Sequence, residues 1–165
     1  YIFVDSEPGQ GTTFSIYFPV YRGGAVEQRS RKQTAKVNPG QWGHARLLLV
    51  EDEDMVRAVA ERALTRQGFT VVTASDGEDG LERLGDSGPF DLVVSDVVMP
   101  NLDGPGMAVE MRKRMPGLPI LFMSGYAEEQ LRKSIDLDNV AFLPKPFSVQ
   151  ELAEAARDVL ATPRG

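Results

Sequence analysis

The stretch Leu92-Val93-Val94-Ser95-Asp96, followed by Val97-Val98-Met99-Pro100, decides how this chain reads. It is a short apolar run that delivers one carboxylate, Asp96, to the end of what reads as a buried strand. In a parallel α/β sheet, chemistry collects at the carboxyl ends of the strands, because loops and helix N-termini meet there. Three other apolar runs end in the same manner. Leu47-Leu48-Leu49-Val50 is followed by Glu51-Asp52, Pro119-Ile120-Leu121-Phe122-Met123 by Ser124, and Val140-Ala141-Phe142-Leu143 leads to Lys145. Four segments thus bring three carboxylates, a hydroxyl and an amine to one edge.

Around these runs, strands alternate with helices from Arg46 onward, the pattern of a parallel sheet covered on both faces. The spacing predicts strands at Arg46 to Val50, Phe69 to Thr73, Asp91 to Ser95, Leu118 to Met123 and Val140 to Leu143. The first helix spans about Glu53 to Gln67, with Val56, Val59, Ala60, Ala63 and Leu64 on one stripe and Gly68 ending it. Ser75-Asp76-Gly77-Glu78 has capping-box spacing before a second helix to about Leu84. A third helix covers about Met107 to Met115, and a shorter, more polar fourth about Ala127 to Ile135. Ser148-Val149-Gln150-Glu151 opens the fifth, with Leu152, Ala153, Ala156, Val159 and Leu160 inward. No internal repeat suggests a solenoid.

The totals bound the function. At 165 residues with 42% hydrophobic content, the chain can build one core with some excess. No segment approaches the roughly 20 apolar residues of a membrane span, and no secretory signal opens the chain. A soluble, cytoplasmic protein without membrane contact is expected. Cysteine is absent and histidine occurs once, which removes disulfides, thiolate metal sites and the usual zinc and triad chemistries. Residues 1–44 carry five Lys/Arg against three Asp/Glu, whereas residues 45–165 carry 13 against 21. So acidic a domain is a poor partner for nucleic acid.

Residues 1–20 hold two short alternating runs around Ser6-Glu7-Pro8-Gly9-Gln10-Gly11 and read as a β-hairpin. A lone hairpin is marginal in water, so this one reads as the tail of another domain. Residues 21–44 are polar, basic and without apolar periodicity, as in a flexible linker. Trp42 reads either as docking on the following domain or as a partly exposed ring.

An aspartate at the mouth of the sheet can act as a nucleophile toward phosphorus if the negative charges around it are offset. Glu51 and Asp52 supply hard oxygen ligands for Mg²⁺ beside Asp96. Lys145 can pair with one phosphoryl oxygen and Ser124 can hydrogen-bond another. The product, an acyl phosphate, is reactive enough to be passed on.

The motifs that carry this chemistry resemble a known family. Leu48-Leu49-Val50-Glu51-Asp52-Glu53, then Asp91 to Pro100 with Asp103-Gly104, then Met123-Ser124-Gly125-Tyr126-Ala127, then Phe142-Leu143-Pro144-Lys145-Pro146-Phe147 are similar to the response-regulator receiver domain over about residues 45–161. The resemblance implies a flavodoxin-like fold: a doubly wound, five-stranded parallel sheet of order 2-1-3-4-5 with five helices. It implies Asp96 as phosphoacceptor, Glu51, Asp52, Asp96 and the Val98 carbonyl as Mg²⁺ ligands, Ser124 as switch hydroxyl, Phe142 as switch aromatic and Lys145 as the conserved-type lysine. A cis peptide before Pro146 is part of the pattern, and X-Pro bonds alone make that form cheap. Two positions depart from it. Glu51 stands where aspartate is more frequent, which bears on metal affinity. Phe142 replaces the commoner tyrosine, and reads either as the switch ring or as plain core packing.

Ser6 to Phe14 and Ile16-Tyr17-Phe18-Pro19 resemble the end of a histidine-kinase ATP-binding domain. A kinase terminus (1–20), a linker (21–44), a receiver (45–161) and a short tail (162–165) make the layout of a hybrid histidine kinase. The loop motifs most resemble the CckA type, the alphaproteobacterial cell-cycle kinases. The resemblance implies partners: a histidine kinase core in cis or trans, and a helical histidine phosphotransferase. It also raises inner-membrane anchoring of the parent protein. This fragment itself carries no kinase machinery, and His44 reads as a plain surface histidine. Met55, Ala58 and Arg62 fall at i, i+3 and i+7 on the first helix and form a candidate docking patch, with Met55 alternatively filling a gap in the core. Two other classes compete: a pseudo-receiver that binds partners without phosphorylation, and an aspartate-nucleophile phosphatase. The phosphatase would carry a second acid where Val98 stands.

Overall fold

A computed structural model describes residues 2–17, 45–125 and 137–162. The chain divides into two units, which are taken separately. In the first, β1 (Ile2–Glu7) pairs antiparallel with β2 (Gly11–Ile16), with Phe3 opposite Ser15 and Glu7 opposite Gly11. Gly9 turns the chain at φ +79, a conformation L side chains rarely adopt. Phe3, Val4 and Phe14 are exposed on this hairpin.

The second unit alternates strand and helix: β3 (Arg46–Val50), α1 (Asp54–Arg66), β4 (Thr70–Ala74), α2 (Gly77–Asp86), β5 (Leu92–Asp96), α3 (Gly104–Arg114), β6 (Ile120–Ser124), β7 (Val140–Pro144) and α4 (Val149–Ala161). The five strands are all parallel in the order β4-β3-β5-β6-β7. Counted within this unit, that is the expected 2-1-3-4-5. Successive side chains of a strand point to opposite faces, so each strand feeds two cores. Leu48, Val50 and Val93 pack toward Met107 and Met111 of α3 and Leu84 of α2. Leu47, Leu49, Leu92 and Val94 pack toward Ala60 and Leu64 of α1 and Leu152 and Ala156 of α4. The chain leaves β3 in one direction for β4 and reaches β5 on the other side. The crevice between β3 and β5 is therefore the topological switch point, where such sheets place their ligands.

Several boundaries differ from the sequence expectation. Val59 is 52% exposed and belongs to neither core, because the α1 stripe that faces the sheet is the narrower Ala60, Ala63 and Leu64. The cap of α2 is Asp76, not Ser75. Its carboxylate accepts the Asp79 amide at 2.9 Å, and the Asp79 carboxylate accepts the Ser75 amide at 2.9 Å, shifting the reciprocal pattern by one residue. Helix α3 starts three residues before Met107. Gly104-Pro105-Gly106 looks like a helix breaker, yet proline needs no hydrogen-bond partner in a first turn, and Asp103 caps it by accepting the Gly106 amide at 2.7 Å. The capping box at Ser148 and Glu151 forms as expected. The expected fourth helix, the linker 21–44, Trp42 and His44 lie outside the described residues. Among the described residues, no helix is long and apolar enough to cross a membrane.

Candidate functional site

Strands β3 and β5 lie side by side with Val50 opposite Ser95, so the residues that follow them emerge together. Glu51, Asp52 and Asp96 each offer a carboxylate oxygen, and these oxygens lie within 4.8 Å of one another. Glu51 is buried, Asp96 half-buried and Asp52 exposed, so the cluster opens to solvent on the Asp52 side.

Lys145 reaches the cluster from the segment after β7. Its Nζ donates to Asp96 Oδ2 at 2.6 Å and to Glu51 Oε2 at 3.4 Å. Asp96 Oδ1 accepts the Val97 amide at 2.7 Å. Burial raises the pKa of Glu51, the Lys145 charge opposes that rise, and the Asp96 charge adds to it. Burial alone would lower the pKa of Lys145; its bond to Asp96 and the charges of Asp96 and Glu51 reverse this and raise it above the ordinary lysine value. One ammonium thus meets two of the three carboxylates in the cluster, Asp96 and Glu51. Hard oxygens at this spacing, with negative charge in excess, are the donor set that suits a small divalent cation. The residues present fit Mg²⁺ on that ground.

Two further features hold the site. Arg57, on the first turn of α1, donates from Nη1 to the Glu51 carbonyl at 2.7 Å and to the Asp52 carbonyl at 3.3 Å. Its other terminal nitrogen pairs with Asp54. The Glu53 amide meets Glu51 Oε1 at 3.3 Å. Gly104 lies directly beneath β5, and its amide donates to the Val97 carbonyl at 3.0 Å. A Cβ there would sit 2.2 Å from the Asp96 carbonyl oxygen. Neither Arg57 nor Gly104 figured as a site residue in the sequence reading. The available signal for Arg57 was its place one turn into the helix that the acidic pair opens.

Ser124 ends β6, where Asp96 is paired with Met123, so the hydroxyl residue stands one step beyond Asp96 at the same edge. It is buried, and its carbonyl accepts the Lys145 amide at 2.7 Å. Phe142 is half-buried on β7, its ring stacked on Phe122 at 5.9 Å between centroids. Val98 follows Asp96 by two residues with an exposed side chain. The Lys145–Pro146 peptide is cis.

The three candidate docking residues differ in exposure. Met55 is 74% exposed and takes no part in the core. With Val56 and Val59 it forms one wall of an apolar groove of about 540 Å³, whose other wall is Phe147, Val149 and Leu152. Arg62 borders an adjoining depression beside Val59. Ala58 is half-buried and lines neither depression, whereas Val59 lines both.

Comparison with known proteins agrees with this geometry. A family model described as response regulator receiver domain matches residues 47–157. The sensor kinase CckA of Brucella abortus is 40% identical over 97% of this chain, which spans 18% of that kinase's length. The transcriptional activator PfeR of Pseudomonas aeruginosa is 40% identical over 70% of the chain, which spans 37% of PfeR. A crystal structure of the receiver domain from the hybrid histidine kinase CckA superposes with a TM-score of 0.60 at 39% identity, covering 70% of this chain and 99% of that one. The response regulator TrrA of Thermotoga maritima, crystallised with Mg²⁺ and BeF, gives 0.61 at 30% identity over 70% of this chain and 98% of its own.

Proposed function

The chain belongs to the response regulator receiver family of phosphorelay signalling, and on that premise we propose that Asp96 accepts a phosphoryl group from a phosphohistidine and passes it to another. The observation that carries the reading is the convergence of Glu51, Asp52 and Asp96 within 4.8 Å, with Lys145 bonded to Asp96 and Glu51.

An Asp96 carboxylate oxygen attacks phosphorus as the phosphorus–nitrogen bond of the donor histidine breaks, leaving an acyl phosphate. The Val97 amide holds Oδ1, which orients the carboxylate for attack. Lys145 already stands 2.6 Å from Oδ2, so its ammonium is beside the phosphoryl oxygens once they arrive. Glu51, Asp52, Asp96 and the Val98 carbonyl would hold Mg²⁺, which when bound offsets the charge of the transferring group. Ser124 serves as the switch hydroxyl that hydrogen-bonds a phosphoryl oxygen, and Phe142 as the ring that follows it.

The wider protein is a hybrid histidine kinase in this reading, with residues 1–20 ending its ATP-binding domain, 21–44 a linker, 45–161 the receiver and 162–165 a tail. Support comes from the 40% identity to a sensor kinase, which runs over 97% of the chain and so takes in the hairpin. The groove beside Met55 and Val59, with Arg62 at its border, is the surface offered to the kinase core and to a helical histidine phosphotransferase on the cytoplasmic side.

Incubation with Mg²⁺ and acetyl phosphate, read by intact mass, tests the reading. One phosphoryl adduct is expected, absent from Asp96→Asn. No adduct at any Mg²⁺ concentration would count against it in favour of a binding-only module, and rapid release of phosphate from small phosphoesters would favour a phosphatase.

A further inference from the structure

From the position of Arg57 we infer that it is a positioning residue for the metal site, setting Mg²⁺ affinity without touching the ion. The inference rests on the reading of Glu51 and Asp52 as Mg²⁺ ligands. Both residues lie in the three-residue connection between β3 and α1, a segment too short to carry a hydrogen-bond ladder of its own. The Glu53 carbonyl accepts the Arg57 amide at 2.9 Å as the first bond of α1, while those of Glu51 and Asp52 precede the helix and need other partners. The Arg57 guanidinium supplies them, with Nη1 shared between the Glu51 oxygen at 2.7 Å and the Asp52 oxygen at 3.3 Å. These two carbonyls belong to the residues whose carboxylates converge on Asp96, so holding the peptides fixes where both side chains branch.

Elsewhere the turn is tied to the sheet by the Glu51 amide, which donates to the Ala74 carbonyl at 3.2 Å. The N-cap of α1, Glu53, makes no side-chain capping bond, unlike Asp76, Asp103 and Ser148 at the other helices. The Glu53 amide instead meets Glu51 Oε1 at 3.3 Å, a bond that uses one of the oxygens the metal site would draw on. Arg57 is thus the side-chain anchor of this turn, and it draws on none of the three carboxylates. Its side chain is 19% exposed, and Asp54 on the outer side steadies the guanidinium. Charge-assisted bonds of this kind are stronger than neutral ones, and the planar fork can serve two acceptors where an ammonium serves them poorly.

The consequence is a separation between assembling the site and using it. Without Arg57 the two carboxylates remain, yet they must be ordered by the ion itself, which weakens binding. The test is calorimetric titration of the full chain with MgCl₂, for wild type, Arg57→Met, Arg57→Lys and Asp54→Asn, together with acetyl-phosphate labelling rates as a function of Mg²⁺. Arg57→Met should raise the Mg²⁺ dissociation constant about tenfold, the scale of one lost charge-assisted hydrogen bond. Its labelling rate should recover as Mg²⁺ is raised, Arg57→Lys should be intermediate, and Asp54→Asn should weaken binding by roughly two- to threefold. A merely structural role would instead lower the labelling rate at every Mg²⁺ concentration and leave the dissociation constant alone, which overturns the inference. If Arg57→Met does not fold, wild-type affinity in both Arg57→Lys and Asp54→Asn overturns it equally. Failure of wild type to bind Mg²⁺ at all would instead refute the metal-ligand reading on which this rests.

Discussion

Replacing Gly104 by alanine adds one carbon where the helix following the active-site loop passes under the active-site strand. That carbon would lie 2.2 Å from the Asp96 carbonyl oxygen, 3.0 Å from Phe122 Cε1 and 3.2 Å from Val97 Cα. Carbon and oxygen settle at roughly 3.3 Å, so α3 and β5 must part by about 1 Å. The obstacles are backbone and a fully buried ring, so no flexible side chain can yield. Parting the elements stretches the 3.0 Å bond from the Gly104 amide to the Val97 carbonyl beyond useful length. Overpacking costs about 1–3 kcal/mol, and a buried hydrogen bond lost from one side about as much again. The higher helix propensity of alanine returns at most about 1 kcal/mol, and less at a first helical position. A net loss of roughly 1–6 kcal/mol remains, which at a urea slope of about 2 kcal/mol per molar lowers the midpoint by roughly 0.5–3 M. Gly85→Ala in α2 is the matched control: nothing lies within 4 Å of its added carbon, and a gain of up to about 1 kcal/mol is expected. Urea unfolding followed by circular dichroism measures both. A Gly104→Ala loss under about 1 kcal/mol would refute the argument that this close approach is obligatory.

Two further outcomes follow from the same geometry. Asp76 is held below the usual carboxylate range, first by the Asp79 amide and then by the Asn101 side chain, so the stability it contributes is complete above the ordinary aspartate value and is lost as pH falls through its lower folded value. Asp76→Ala should cost about 1 kcal/mol at neutral pH and flatten the acid limb of a stability–pH profile, measured by urea midpoints. Val59→Glu places a charge in the groove between α1 and the segment leading into α4 without disturbing either core; phosphotransfer with a histidine phosphotransferase should slow at least tenfold while acetyl-phosphate labelling keeps its rate, a comparison made by stopped-time gel or mass assays.

The sheet was legible because its inner strands β3, β5 and β6 are buried on both faces and read as near-unbroken apolar runs, each running into a polar residue. The resulting cluster was legible for the same reason: parallel strands deliver their terminal residues to one edge, so Glu51, Asp52, Asp96 and Lys145 meet although up to 94 residues separate them. What escaped the sequence depends on contacts between elements. Val59 shares the helical spacing of Ala60 and Ala63, and only the width of the buried stripe tells them apart. Ser75 and Asp76 are both competent caps, and the choice falls to Asp76, which also accepts a 2.9 Å bond from Asn101 of a distant loop. Gly104 and Arg57 act on backbone carbonyls, so apolar patterning does not mark them, and for Arg57 only its place one turn into α1 does. Ala58 shares the spacing of Met55 and Arg62, but spacing along a helix does not fix which residues border a groove, and Ala58 lines neither depression.

The proposed chemistry puts the phosphoryl group on Asp96 and not on another carboxylate of the cluster. Borohydride reduction of the protein after labelling with acetyl phosphate and Mg²⁺ converts an aspartyl phosphate to homoserine, and peptide sequencing by tandem mass spectrometry locates it. Homoserine at position 96 alone is the predicted result. Homoserine at position 52, or no homoserine from a protein that has gained a phosphoryl group, would contradict it.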